Sequence, residues 1–136
     1  MEETIHLDIV TPEKVIFSDS VDMVTAPGTL GEFGVLPGHA DFVTSIEIGE
    51  VCIKKGDKSY FVAISGGFAE VMSDKVIILA DTAEMSQEID IKRAEAAKNK
   101  AEEKLKTISS EDEEYREIVN ALKRAENRIR VSGRKG

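Results

Sequence analysis

The sequence predicts an all-β sandwich followed by an antiparallel α-helical hairpin, and three observations carry that prediction. Glycine and proline punctuate only the first part: all three prolines and eight of the ten glycines precede Phe68, and none occurs from Phe68 to Ser132. Apolar residues recur at every second position before Glu84 and at every third or fourth after Met85, the periods of a half-buried strand and of an amphipathic helix. The charge changes sign at the same place. Residues 1–84 hold 15 acids and 5 bases, a net of −10, whereas residues 85–136 hold 11 acids and 13 bases, a net of +2. A division into residues 1–84 and 85–136, with different partners for each, follows.

Ile5, Leu7 and Ile9 point one way while His6 and Asp8 point the other, which marks the first strand. Similar runs follow at Val15 to Phe17, Val21 to Thr25, Phe42 to Ile46, Glu50 to Lys54, Ser59 to Ser65, Phe68 to Met72 and Val76 to Ala80. Pro27-Gly28, Lys55-Gly56-Asp57 and Ser73-Asp74 separate them as turns. Short strands at this density read as an antiparallel sandwich or flattened barrel. The first part offers no helix to cover a parallel sheet, which excludes a dinucleotide-binding half.

After Met85, Ala94, Ala97, Ala101, Leu105 and Ile108 form one helical stripe, and Tyr115, Ile118, Leu122, Ala125 and Ile129 form a second. Asp90 is placed to cap the first helix. Ser110 and Glu113 have the spacing of a capping box that would start the second. So short a connection folds two helices back on each other. The seam is mostly alanine, which contributes less than the ~1.5–3 kcal/mol of a buried leucine or isoleucine. Such a hairpin is either a small stable appendage or an arm that detaches.

No stretch approaches the ~20 apolar residues of a membrane span. Met1-Glu2-Glu3 is acidic where a targeting segment would be apolar or basic, so a mature bacterial cytoplasmic protein is expected. Cys52, the only cysteine, excludes an internal disulfide framework and reads as a packed or edge thiol rather than a nucleophile. The chain lacks a phosphate-binding P-loop, a G-x-S-x-G elbow around Ser65, and any histidine or cysteine spacing for metal; no enzyme is expected. Basic residues without accompanying aromatics also argue against nucleic acid.

Two segments stand out. Gly31 to His39 reads as a turn-rich loop closing the end of the sandwich, with Phe33, Val35 and Leu36 as an exposed apolar patch and Glu32 as a polar anchor beside it. Ser65-Gly66-Gly67-Phe68 reads as a close backbone approach between neighbouring strands.

These segments resemble the epsilon subunit of bacterial F-type ATP synthases. The family's glycine-rich G-E-[FL]-G-x-x-P-G-H-A loop, S-G-G-x-x-E-V segment, V-x-[IV]-L-A-D strand and [IL]-D-x-x-R-A helix start correspond to Gly31–Ala40, Ser65–Val71, Val76–Asp81 and Ile89–Ala94, in that order. Asp41 departs from the proline many members carry there. The resemblance implies a non-catalytic stalk subunit on the cytoplasmic face of the bacterial cell membrane, held there through the complex. The sandwich would bind the gamma subunit and rest on the c-ring, with Glu32 and His39 near the ring's polar loops. The hairpin would fold on the sandwich or extend toward the catalytic alpha and beta subunits and inhibit ATP hydrolysis, its cations Lys123, Arg124, Arg128 and Arg130 meeting acidic loops. No cofactor is required, but regulatory ATP is implied for the folded hairpin, through Ile89, Asp90, Arg93 and Ala94, with Glu84, Arg124 and Arg128 as additional contacts. The coupling ion, proton or sodium, stays open. So do two rivals: a free-standing ATP-sensing regulatory protein, and an isomerase or carbohydrate-binding β-domain using the Gly31 to His39 loop.

Overall fold

A computed structural model describes residues 3–134. Eight strands precede two helices: β1 (Ile5–Val10), β2 (Val15–Val21), β3 (Met23–Gly28), β4 (Gly31–Val35), β5 (Phe42–Ile46), β6 (Gly49–Lys55), β7 (Lys58–Val71) and β8 (Lys75–Met85). A 3₁₀ turn at Ser86–Glu88 leads into α1 (Ile91–Leu105) and α2 (Tyr115–Ser132). The strands hydrogen-bond in the order β2-β1-β8-β7-β5-β3-β4, with β6 bridging β3 and β7.

The first half of β7 pairs with β6 and the second with β5. One strand thereby serves both layers of a sandwich, and it bends at Gly66-Gly67. Gly67 has φ +122°, and a Cβ there would overlap the Leu79 carbonyl, so the close approach expected from the sequence is real. What does not hold is the break: β7 continues through the glycines as one strand. Between the layers, Ile5, Leu7, Ile9, Val21, Val35, Val51, Ile53, Val62 and Ile78 are fully buried, each sequestering a side chain worth about 1.5–3 kcal/mol.

Three further expectations are corrected. β1 runs parallel to β8, so the sheet is not wholly antiparallel; six strands lie between them in sequence and supply the crossover without a covering helix. Gly31 to Val35 is strand β4, not loop, because it pairs residue for residue with β3. Val35 is therefore core, Phe33 packs half-buried edge-on to Phe42 at 5.3 Å, and of the expected patch only Leu36 is exposed. Lastly, α2 begins at Tyr115 rather than at the Ser110–Glu113 box. Ser109 and Asp112 close the turn instead, the Asp112 side chain accepting from the Glu114 amide at 2.9 Å.

Asp90 caps α1, its carboxylate accepting from the Arg93 amide at 3.0 Å. The hairpin seam buries Ala94 and Ala101 of α1 with Ile118 and Ala125 of α2, while Ala97 stays exposed. The hairpin rests on the sandwich through α2, against β6, β7 and the 3₁₀ turn.

Candidate functional site

Three regions of the surface concern function. The first is where α2 docks. Val131 is fully buried against Phe61, Ala63 and Ile89, with Cys52 at the margin of that cluster. Asn127, three per cent exposed, donates its side-chain amide to the Gly49 carbonyl at 2.7 Å and points to that of Ile64 at 3.5 Å. Arg130 in turn donates to the Asn127 side-chain oxygen at 2.5 Å. Two ion pairs flank this key: Arg128–Glu84 at 2.5 Å and Arg134–Glu50, a two-pronged contact at 3.1 and 3.2 Å. The Arg134 guanidinium also lies 4.7 Å from the centroid of Phe61, within cation–π range. Arg134 is thus held against the sandwich. Burial pushes the Cys52 thiol above its ordinary pKa.

Of the four cations expected to belong to an inhibitory arm, Arg128 alone reaches a sandwich carboxylate among the described residues. Arg124 pairs within α2 to Glu117 at 3.0 Å, and Lys123, Arg124 and Arg130 line a cleft of about 890 Å³ with Asn127, Asp81 and Thr82.

The second region is a cleft of about 520 Å³ between the start of α1 and the sandwich. It gathers Glu84, Asp90, Arg93, Ala94 and Arg128 from the expected nucleotide set. Its volume falls within the ~300–1,000 Å³ of small-molecule sites. Two members are not brought in. Ile89 turns into the buried cluster with Phe61 and Val131, and Arg124 faces the larger cleft. Sequence reading missed the β1–β2 turn, whose residues Thr11 to Lys14 line the same cleft.

Glu32 and His39 occupy different settings. Glu32, opposite Pro27 on β4, faces a groove of about 390 Å³ shared with Glu50, Arg130 and Arg134. His39 stacks at 5.2 Å on Phe42, its Nδ1 2.8 Å from the Ala40 carbonyl.

The third region went unread in the sequence. On the outer face of the sheet, Phe68 lies opposite Leu79, Leu79 opposite Val10, and Val10 opposite Val15. Paired residues project from the same face, so these side chains form one apolar strip across β7, β8, β1 and β2. Phe68, Leu79 and Val15 are 59%, 55% and 60% exposed, and Val43 on β5, one row over, is 66% exposed. Beside the strip, Ser18 donates to the Asp8 carboxylate at 2.6 Å, and that bond holds the Asp8 carboxyl below the usual range. The alternation Phe68-Ala69-Glu70-Val71 was a usable signal, since Ala69 and Val71 point inward and leave Phe68 outside.

The ATP synthase, Delta/Epsilon chain, beta-sandwich domain matches residues 4–86, and the long alpha-helix domain of the same chain matches residues 87–133. An ATP synthase epsilon chain of Geobacter metallireducens is 49% identical over 134 residues, covering 98% of this chain and 97% of that one. Another, of Desulforamulus reducens, is 48% identical over 132 residues, covering 97% and 99%. Among solved structures, a chain of the Euglena gracilis mitochondrial ATP synthase, OSCP/F1/c-ring, aligns with TM-score 0.78 at 29% identity, over 93% of this chain and 80% of that one. A chain of the Tetrahymena thermophila mitochondrial ATP synthase central stalk and c-ring aligns with TM-score 0.65 at 13% identity, over 96% and 98%, and shares the fold.

Proposed function

Because the chain belongs to the ATP synthase Delta/Epsilon chain family, we propose that its outer apolar strip seats it on the gamma subunit of the rotating stalk while its hairpin serves as a releasable inhibitory arm. The chain is a non-catalytic epsilon-type subunit that couples the stalk to the catalytic head. The strip carries the docking half of the proposal. Val10, Val15, Phe68 and Leu79 are contiguous and outward-facing on a sheet whose other face is fully packed. An apolar surface of that kind marks a protein contact. Among the described residues no helix is long and apolar enough to cross a membrane, so attachment is peripheral, through the complex; the cytoplasmic face is our reading of its side. Glu32 and His39 are proposed to meet the c-ring. Co-purification of gamma with a Phe68→Glu, Leu79→Glu variant tests the strip. Loss of gamma with an unchanged melting temperature supports it, and undiminished recovery sinks it. A parent protein that never binds gamma would favour the free-standing sensor instead.

The second half concerns nucleotide. Asp90, Arg93, Ala94, Glu84 and Arg128 converge on one cleft where hairpin meets sandwich. A planar guanidinium grips phosphate with parallel hydrogen bonds, and a ligand spanning that cleft stabilises the folded arm by mass action. We assign this cleft to regulatory ATP. Arg93→Ala should weaken ATP binding about tenfold or more, the loss of a hydrogen bond to a charged group. Calorimetry that detects no ATP binding by the parent at millimolar nucleotide would remove the assignment and leave the stalk role standing.

A further inference from the structure

The cleft holding Asp90 and Arg93 is also lined by the β1–β2 turn, which belongs to the sandwich and not to the hairpin. The turn is fixed in shape. The Thr11 amide donates to the Lys14 carbonyl at 2.9 Å, and the Lys14 amide donates back to the Thr11 hydroxyl at 3.3 Å. Three cations line the cleft: Lys14, Arg93 and Arg128. Arg128 is committed to Glu84, whereas among the described residues neither Lys14 nor Arg93 enters an ion pair.

The carboxylates there are mostly occupied. Glu84 is held by Arg128, Asp90 caps α1, and Asp81 sits over Gly66 on the rim shared with the larger cleft. Glu13, in the turn itself, is the remaining acid. Two uncommitted cations in one cleft, one from each part of the chain, are an arrangement a polyphosphate can bridge.

We infer that Lys14 is a phosphate-binding residue of this cleft, holding from the sandwich side a nucleotide polyphosphate whose other side is held by Arg93. The inference rests on the nucleotide reading above and extends it. An ammonium on a flexible stem acts as a point charge that follows a phosphate, so it needs no fixed fork geometry. Bound this way, ATP ties hairpin to sandwich directly, and the folded arm is clamped across both parts of the chain rather than only within the hairpin.

Isothermal titration calorimetry of the full chain with ATP, ADP and AMP tests this. Lys14→Ala should weaken ATP binding by about tenfold, ADP by less and AMP not at all, with Lys14→Arg restoring ATP. Glu13→Gln should tighten ATP, because it removes a like charge from the polyphosphate's wall. The melting temperature without nucleotide should stay at the parent value. ATP binding to Lys14→Ala at parent strength, with Arg93→Ala still deficient, overturns the role of Lys14 and leaves the nucleotide site intact. An equal loss for ATP, ADP and AMP also overturns it, since the effect would not follow phosphate. Failure of the parent chain to bind any of the three overturns the inference together with the nucleotide reading.

Discussion

Asn127 makes a buried polar contact between α2 and the sandwich, and its removal should be readable in the chemistry of a single thiol. It lies three per cent exposed on α2, its amide 2.7 Å from the Gly49 carbonyl. The second contact, to Ile64 at 3.5 Å, is at the limit of a hydrogen bond and adds little. Asn127→Ala leaves the buried Gly49 carbonyl without this partner and returns the exposed Arg130 guanidinium to water. An unsatisfied buried group costs about 1–3 kcal/mol, which moves the seated-to-released equilibrium roughly 5- to 150-fold. Cys52 reports it, because it packs beside Val131 of the seated helix and is the only cysteine. Burial also keeps its thiol protonated above the ordinary value, so labelling of the seated form is slow. Labelling of Cys52 by an aromatic disulfide should therefore accelerate by the same factor in Asn127→Ala, with the melting temperature of the sandwich little changed. A labelling rate equal to the parent's would refute the seating role of Asn127, and with it the view that one polar key holds the arm.

Two other outcomes follow from charge. Reversing Arg124, Arg128 and Arg130 together to Glu should abolish inhibition of ATP hydrolysis in the assembled enzyme while the sandwich stays folded. Single exposed pairs contribute only about 0–1 kcal/mol, so one reversal should do little, and a triple variant that inhibits like the parent would contradict a charged arm. The Asp8 carboxyl lies below its ordinary 3.8, chiefly through the Ser18 hydrogen bond. A lowered folded value contributes stability above the ordinary value that is lost as pH falls through the folded one. Ser18→Ala should accordingly raise the Asp8 titration seen by NMR toward 3.8 and move acid unfolding to slightly higher pH; an unmoved titration would exclude Ser18 as the cause.

Much of the fold was legible because local period and local structure agree. Ile5, Leu7 and Ile9 alternate and are all buried, and Asp90 caps the helix it precedes. β4 was missed because Gly31 and Gly34 make it look like turn, although Phe33 and Val35 alternate correctly toward the core. The parallel pairing of β1 with β8 joins residues about seventy apart and leaves no local trace. The docking key was illegible for a different reason. Asn127 is polar on a charged helix, and the carbonyls its buried amide meets, those of Gly49 and Ile64, lie on the other part of the chain. The cleft we assign to nucleotide was readable only by resemblance, and the turn that helps line it, Thr11 to Lys14, carries no motif.

A stalk-bound sandwich carrying a releasable arm should keep its stalk role when the arm is removed. Met85 belongs to the sandwich core, so the division is best tested with a chain ending at Glu88, after the 3₁₀ turn. Assembled into the ATP synthase, that chain should still bind gamma and support ion-driven ATP synthesis, while ATP hydrolysis rises above that of the enzyme with the full chain. Loss of gamma binding, or hydrolysis unchanged from the full-chain enzyme, would contradict it.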